Sequence, residues 1–167
     1  TTLPSNIFGM KMMSTFDFRN NPNLNALPEN RGEGVRMGGL LLDNCGFTSI
    51  PKIAKGRLRT LTLANNKITS VSESELNGLS DELETLVLDG NKINTFPKMN
   101  SESLIELKLD DCGLSAIPDL SALPNLRSLA LAKNNINAIG DGVFSKNPYI
   151  SILDFSENAG LTSCSAN

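Results

Sequence analysis

The chain repeats itself, and the period of that repetition limits its folds more than any other property, because self-similarity at about 20 to 50 residues marks a stack of like units. The segment Leu58-Arg-Thr-Leu61-Thr-Leu63-Ala-Asn-Asn66-Lys-Ile68-Thr-Ser-Val71 places apolar residues at steps 1, 4, 6, 11 and 14 and Asn at step 9. Six further segments share this spacing. They begin at Met13, Met37, Leu83, Leu104, Leu126 and Ile150, so successive starts lie 21 to 25 residues apart along nearly all of the 167 residues. Steps 4 and 6 fall on one side of a short strand, which turns pairs such as Leu61 and Leu63, or Leu129 and Leu131, inward and sends steps 3, 5 and 7 outward. A single unit cannot cover its own apolar side. Neighbours stacked with parallel strands can, and the result is a long sheet over a continuous interior.

Step 9 holds Asn21, Cys45, Asn66, Asn91, Cys112, Asn134 and Asn158. There the chain leaves the sheet and turns backbone groups toward a water-poor core, where an amide side chain can donate and accept at once. Cys is compact and a weaker donor, but it fits. The phenylalanines keep the same register: Phe16, Phe18 and Phe155 fall on steps 4 or 6, Phe47 on step 11 and Phe96 on step 14, which makes them core rather than a ligand platform. Pro51, Pro97 and Pro118 directly follow the last core residue of their units. They disfavour an immediate helix, so the outer connections are expected to be extended or 3₁₀, with helical turns only near 72–79 and 141–145.

The spacing LxxLxLxxNxIxxI resembles that of the leucine-rich repeat family, over a stretch from about Leu3 to Cys164. The resemblance implies an α/β class fold: a right-handed, horseshoe-shaped solenoid of about seven repeats with a parallel sheet on its concave side, the whole chain 1–167 forming one domain. It also implies protein–protein recognition without catalysis. Asp141-Gly-Val-Phe144 beside Asn147-Pro is similar to repeats of cell-surface and secreted members, including receptor-like kinase ectodomains of microbial eukaryotes. The Gly-x-Ile-Pro signature of plant receptor repeats is missing. The implied location is extracellular or at the cell surface, with a cytoplasmic one left open; no Asn begins an Asn-x-Ser/Thr sequon.

A longer period runs inside the short one. Asp43-Asn-Cys45-Gly-Phe-Thr-Ser-Ile-Pro51 matches Asp110-Asp-Cys112-Gly-Leu-Ser-Ala-Ile-Pro118 at a distance of 67 residues, three units along, and an Asn unit follows each. The first and last units also resemble each other. An array that starts and stops on one unit type, without polar caps, reads as a section of a longer solenoid whose ends expose Leu3, Ile7, Phe8 and Leu161. Head-to-tail contact between such ends could build an open filament.

Composition removes most chemistry. There is no His, which excludes Ser-His-Asp and Cys-His nucleophiles and His-ligated metals. Lys+Arg of 15 against Asp+Glu of 18 gives a net charge of -3, so a nucleic acid is not an expected partner. The longest aliphatic run, Leu40-Leu41-Leu42, is far short of the ~20 residues that cross a bilayer. Cys45 and Cys112 stand three coils apart, beyond the ~7 Å between Cα atoms that a disulfide allows. Cys164 is either a core residue or, by the family resemblance, part of a C-terminal disulfide cap. Gly32-Glu-Gly34-Val-Arg-Met37 lacks the third glycine of a dinucleotide loop, and Gly38-Gly39 leaves one strand bare. Gly142 to Lys146 is no phosphate loop, and Asp110-Asp111 lacks the further oxygens of a calcium loop. No cofactor or metal is expected.

Function is therefore sought on the outward steps of the concave sheet. Steps 3, 5, 7 and 8 carry the acids Asp17, Asp43, Asp89, Glu106, Asp110, Asp111, Asp154 and Glu157 against the bases Arg19, Lys108 and Lys133. Step 5 runs Leu41, Thr62, Val87, Lys108, Ala130, a partly apolar centre flanked by charge. Such a face suits a protein or peptide with basic groups, while the lack of aromatics gives sugars and bases no stacking platform. The alternative is a structural protein that assembles with its own copies through end or edge contacts.

Overall fold

The computed structural model describes residues 3–4, 6–9, 14–28, 37–53 and 57–164, without the side chains of residues 163 and 164. Met13, most of the Gly32–Met37 segment and the Cys164 side chain thus lie outside the described residues. Seven three-residue strands form one parallel sheet. They are β1 (Thr15–Asp17), β2 (Gly39–Leu41), β3 (Thr60–Thr62), β4 (Thr85–Val87), β5 (Glu106–Lys108), β6 (Ser128–Ala130) and β8 (Ile152–Asp154). The pairing is in register, so step 4 forms a row Phe16, Leu40, Leu61, Leu86, Leu107, Leu129, Leu153 across the sheet. All of these but Leu153 are buried; Leu107 is fully buried while its neighbour Lys108 is half-exposed, which is the inward-outward alternation the repeat predicts. The interior is one continuous apolar cluster running from Phe8 to Ile136.

The outer connections carry little regular structure. One helix, α1 (Glu73–Asn77), occupies the expected 72–79 segment, and its start is explained by a capping box: the Glu75 N–H donates to Ser72 Oγ at 3.2 Å and the Ser72 N–H to Glu75 Oε2 at 2.8 Å. Residues 141–146 form hydrogen-bonded turns rather than a helix, closed by bonds from the Ser145 N–H to Gly142 O and from the Asn147 N–H to Phe144 O. A second small parallel pair, β7 (Ala138–Ile139) with β9 (Ser163–Cys164), lies outside the main sheet.

The first coil does not expose its apolar end as the sequence suggests. A 3₁₀ turn, Ile7–Gly9, lays Phe8 edge-on against Phe16 at 5.0 Å between ring centroids, leaving Phe8 1% exposed; Leu3 and Ile7 are partly buried against the same cluster. Leu161 is half-buried. Exposure concentrates instead on the last coil, where Tyr149, Ile152 and Leu153 are 59%, 60% and 44% exposed.

Coils are tied together by the step-9 side chains. Asn91 Nδ2 donates to Leu63 O of the preceding coil at 2.9 Å and to Leu88 O of its own at 2.7 Å, while its Oδ1 accepts the Ile68 N–H at 3.0 Å. Asn66, Asn134 and Asn158 repeat this double reach. Cys45 and Cys112 supply only the donor, to Phe18 O at 3.2 Å and Leu88 O at 3.3 Å. Both are free thiols, and burial pushes Cys112 up to about 12, so they are inert packing groups. In the coil before Cys112, Asn94 is left-handed and its N–H donates to Cys112 O at 2.9 Å.

Two features of the turns were not expected. Step 8 is left-handed in every coil, at Asn20, Asn44, Asn65, Gly90, Asp111, Lys133 and Glu157, with φ between 52° and 68°. Asn and Gly suit that conformation; Asp111, Lys133 and Glu157 adopt it under the constraint of the stack. Gly38, just before β2, also has a packing cause: a Cβ there would stand 2.8 Å from Ser14 O, so its bareness serves the close approach of the first coil.

Because Asn91 serves two coils and is fully buried, Asn91→Ala should strand those backbone groups at a cost of ~1–3 kcal/mol. Asn21 is exposed and among the described residues its side chain bonds only within its own coil, to Phe18 O and Arg19 O, so Asn21→Ala should cost less than ~1 kcal/mol. Urea denaturation of both variants checks this; equal losses would contradict the two-coil role.

Candidate functional site on the exposed sheet face

The in-register pairing lays the outward residues in rows. Step 5 reads Asp17, Leu41, Thr62, Val87, Lys108, Ala130, Asp154, each directly beside the next across the sheet. Step 3 reads Thr15, Gly39, Thr60, Thr85, Glu106, Ser128, Ile152. On the middle strands Leu41, Thr62, Val87 and Lys108 are all half-buried.

The bases on this face are engaged. Arg19 grips Asp17 with two side-chain bonds, at 2.9 and 2.7 Å, and this partner holds the exposed Asp17 carboxyl down at about 2. Lys108 Nζ lies 3.2 Å from Glu106 Oε1 on the same strand, and Lys133 Nζ lies 3.7 Å from Glu157 Oε1. Asp111, Lys133 and Glu157 sit on the left-handed step 8, past the ends of the strands and exposed, whereas the step-7 acids lie closer to the sheet.

Those step-7 acids have a structural task that their sequence does not announce. Asp43 Oδ1 accepts the Ala64 N–H of the next coil at 2.8 Å, Asp89 Oδ1 the Asp110 N–H at 2.9 Å and Asp110 Oδ1 the Ala132 N–H at 2.7 Å. The second oxygen of each has no hydrogen-bond partner among the described residues. Nor does any of the three form an ion pair there. Burial is the main reason the Asp89 carboxyl rises to about 6, with the like charges of Asp110 and Asp43 adding to it and Lys108 and the Asp110 amide opposing. Asp110 is raised too, first by burial and then by Asp154. Asp154, fully exposed, is held low by the Ser156 hydroxyl and amide.

Above the strands, Arg57 faces Glu82 at 3.5 Å and Arg59 faces Glu84 at 3.6 Å, flanking the exposed Ile105. These charges are exposed and mutually paired, and contribute little to stability. Sequence reasoning also missed the outer amides: Asn147, buried, donates to Leu120 O at 2.9 Å and Leu123 O at 2.8 Å, and Asn125 to Glu102 O at 2.8 Å. They hold no fixed step, so the repeat gives no signal for them.

Parallel strands stacked one per coil, inward leucines and a step-9 amide ladder define a solenoid whose exposed sheet is free for contact. The comparisons agree. The description "Leucine Rich repeats (2 copies)" matches residues 56–100. Fibromodulin of Sus scrofa is 32% identical over 121 residues, covering 71% of this chain and 80% of that protein. The chain belongs to the leucine-rich repeat family. Keratocan of Mus musculus is 33% identical over 125 residues, 71% of this chain and 34% of its own length, and Toll-like receptor 2 of Boselaphus tragocamelus 28% over 120 residues, 15% of its length. The match thus spans about a third of keratocan and a smaller part of the receptor.

The elevated Asp89 carboxyl fixes a pH dependence. Between pH ~4 and ~6 the folded chain holds this proton more tightly than the unfolded one, so stability falls as pH rises through that window. The lowered Asp17 acts in the opposite sense but below pH ~4, in a separate window. Asp89→Asn keeps the acceptor for the Asp110 N–H and removes the charge, so thermal melts should show a smaller decline from pH 4 to 6 and a variant at least as stable as the parent at pH 7. An unchanged slope would refute the assignment.

Proposed function

We propose that residues 1–167 act as one recognition domain that binds a protein or peptide carrying basic groups on the exposed, concave face of the sheet, with no catalysis of its own. The observation that carries this reading is the step-7 row: Asp43, Asp89 and Asp110 are each oriented by one oxygen and present the other without a counter-ion. A folded chain leaves such charges unneutralised at a cost, and a cationic partner relieves it. Membership of the leucine-rich repeat family supports a protein-binding role, and the likeness to a protein named as a receptor supports an extracellular or cell-surface setting. None of the described helices is long and apolar enough to cross a membrane.

Fluorescence anisotropy with a labelled lysine-rich peptide tests the reading. Binding should weaken as salt is raised, and Asp89→Lys with Asp110→Lys should weaken it by about tenfold or more. Undiminished binding in the double variant, with its fold verified by circular dichroism, would move the site off this face.

A second reading, self-association of copies, is favoured by the exposed Ile152 and Leu153 on the last strand of the sheet. If that contact operates, sedimentation velocity should show a concentration-dependent dimer or polymer that Leu153→Glu abolishes. A monomer at all concentrations would remove it.

A further inference from the structure

Each of the first six coils commits the same backbone groups to the coil that follows it. The step-6 N–H donates to the next step-5 carbonyl, from Phe18 to Leu41 O at one end through to Leu131 to Asp154 O at the other. The step-8 N–H donates to the next step-7 carbonyl, from Asn20 to Asp43 O through to Lys133 to Ser156 O, and the step-2 carbonyl accepts from the next coil, from Ser14 O through to Arg127 O. On the seventh coil these groups are the Phe155 and Glu157 N–H and Ser151 O, and none of them has a partner among the described residues. The inward side chain beside them, Leu153, is 44% exposed although the other members of its row are buried. The opposite end of the stack is closed: Phe8 lies against Phe16, Leu3 and Ile7 pack on the same cluster, and the Arg19 N–H is taken by Asp17 Oδ1 of its own coil at 3.1 Å. A copy stacked head to tail would meet that covered end, whereas two tails present each other with matching open groups. Resting on the self-association reading above, we infer that two copies pair tail to tail, with β8 antiparallel to β8 of the second copy about a two-fold axis at Leu153, and that the resulting dimer is closed.

The register follows from which groups are left over. In a strand the N–H and C=O of one residue point to the same side, and that side alternates along the chain. Ile152 turns its N–H to Arg127 O, toward β6, so Leu153 turns both of its groups to the open edge. An axis at Leu153 sets this residue opposite its own copy, where each donates to and accepts from the other. It also sets Phe155 opposite Ser151 of the second copy, so that each Phe155 N–H meets a Ser151 carbonyl. An axis one residue away would centre on Ile152 or Asp154, whose backbone groups already face β6. The two Leu153 side chains fall together on the interior side and cover each other, about 5.5 Å apart at Cα. Ile152 lies on the other face beside Asp154 of the second copy; that carboxyl keeps its bond from the Ser156 N–H at 2.9 Å, and because it is exposed its repulsion from its own copy is screened. The pairing joins two seven-stranded sheets into one and leaves no open edge at the junction.

Sedimentation velocity of the whole chain over a range of concentrations should show monomer and dimer and no larger species. Leu153→Cys then reads the axis. Opposite its own copy at about 5.5 Å between Cα atoms it lies within disulfide reach, so oxidation with glutathione disulfide should give a covalent dimer as the main product on a non-reducing gel. Tyr149→Cys, which this register holds roughly 25 Å from its copy, should stay monomeric, as should the parent chain with its own cysteines. Circular dichroism verifies that both variants fold, and the parent chain supplies a measurement free of substitutions: amide exchange at Leu153 and Phe155 should slow as concentration rises, while exchange at Thr15 on β1 should not change. A dimer in which Leu153→Cys links no better than Tyr149→Cys, or in which the Leu153 and Phe155 amides exchange as fast as in the monomer, would overturn the register and leave self-association standing. Polymers that lengthen with concentration would do the same, since they require a head-to-tail contact. A monomer at every concentration would overturn both.

Discussion

Everything in this molecule depends on how the chain leaves the sheet at the end of each three-residue strand. A parallel strand that short must be followed at once by a turn, and the turn points carbonyls and amides into the apolar interior, where unpaired groups are costly. The step-9 amide resolves this by bonding to its own coil and its predecessor together. It is therefore a joint between coils as much as a cap. The left-handed residue just before it swings the chain away from the sheet. Lys133 and Glu157 adopt there a conformation that costs most residues energy, and Asp111 one that Asp tolerates better.

That joint also determines the chemistry of the exposed face. The same turn leaves the step-7 amide of the following coil pointing toward the front of the sheet. In three places an aspartate takes it, so Asp43, Asp89 and Asp110 are structural with one oxygen and free with the other. Sequence alone cannot separate this arrangement from a solvated acidic strip, because both read as Asp on an outward step. The distinction is physical: a solvated aspartate moves and is screened, whereas these are fixed, half-buried and close to like charges.

The parts of the fold legible in the sequence are those that recur. Seven strand positions, the inward leucines, the ladder residues and the two inert cysteines all follow from one spacing, since each coil meets nearly the same environment. What escaped was set by single events. Phe8 is buried by a 3₁₀ turn found once among the described residues; Asn147 bridges two outer carbonyls at no repeated step; β7 and β9 pair through two residues each; and Gly38, just before β2, answers to the Ser14 carbonyl. The candidate site was legible as a list of outward residues. Its grouping was not: Asp17 with Arg19, Lys108 with Glu106 and Lys133 with Glu157 turn three of the acids into partners of the bases, and of the five left without an ion pair among the described residues, Asp43, Asp89 and Asp110 are the half-buried ones on step 7, while Asp111 and Asp154 are exposed.

Leaving that set unneutralised works against folding, which raises the question of what keeps it there. An aspartate at step 7 gains a bond to the next coil, but an Asn would gain the same bond without the charge, and burial together with repulsion between neighbours makes the ionised carboxylate at neutral pH costlier than an amide in its place. Stability alone thus favours Asn at Asp89, and five of the seven ladder positions show that this chain uses Asn where only hydrogen bonding is needed. The charge is then the part that packing does not require. A cation arriving at the face would meet carboxylates whose desolvation was already met when the coils stacked, and whose orientation costs nothing further to fix. On that argument the loss in fold stability and the gain in affinity have one origin, the rigid stack that holds like charges side by side.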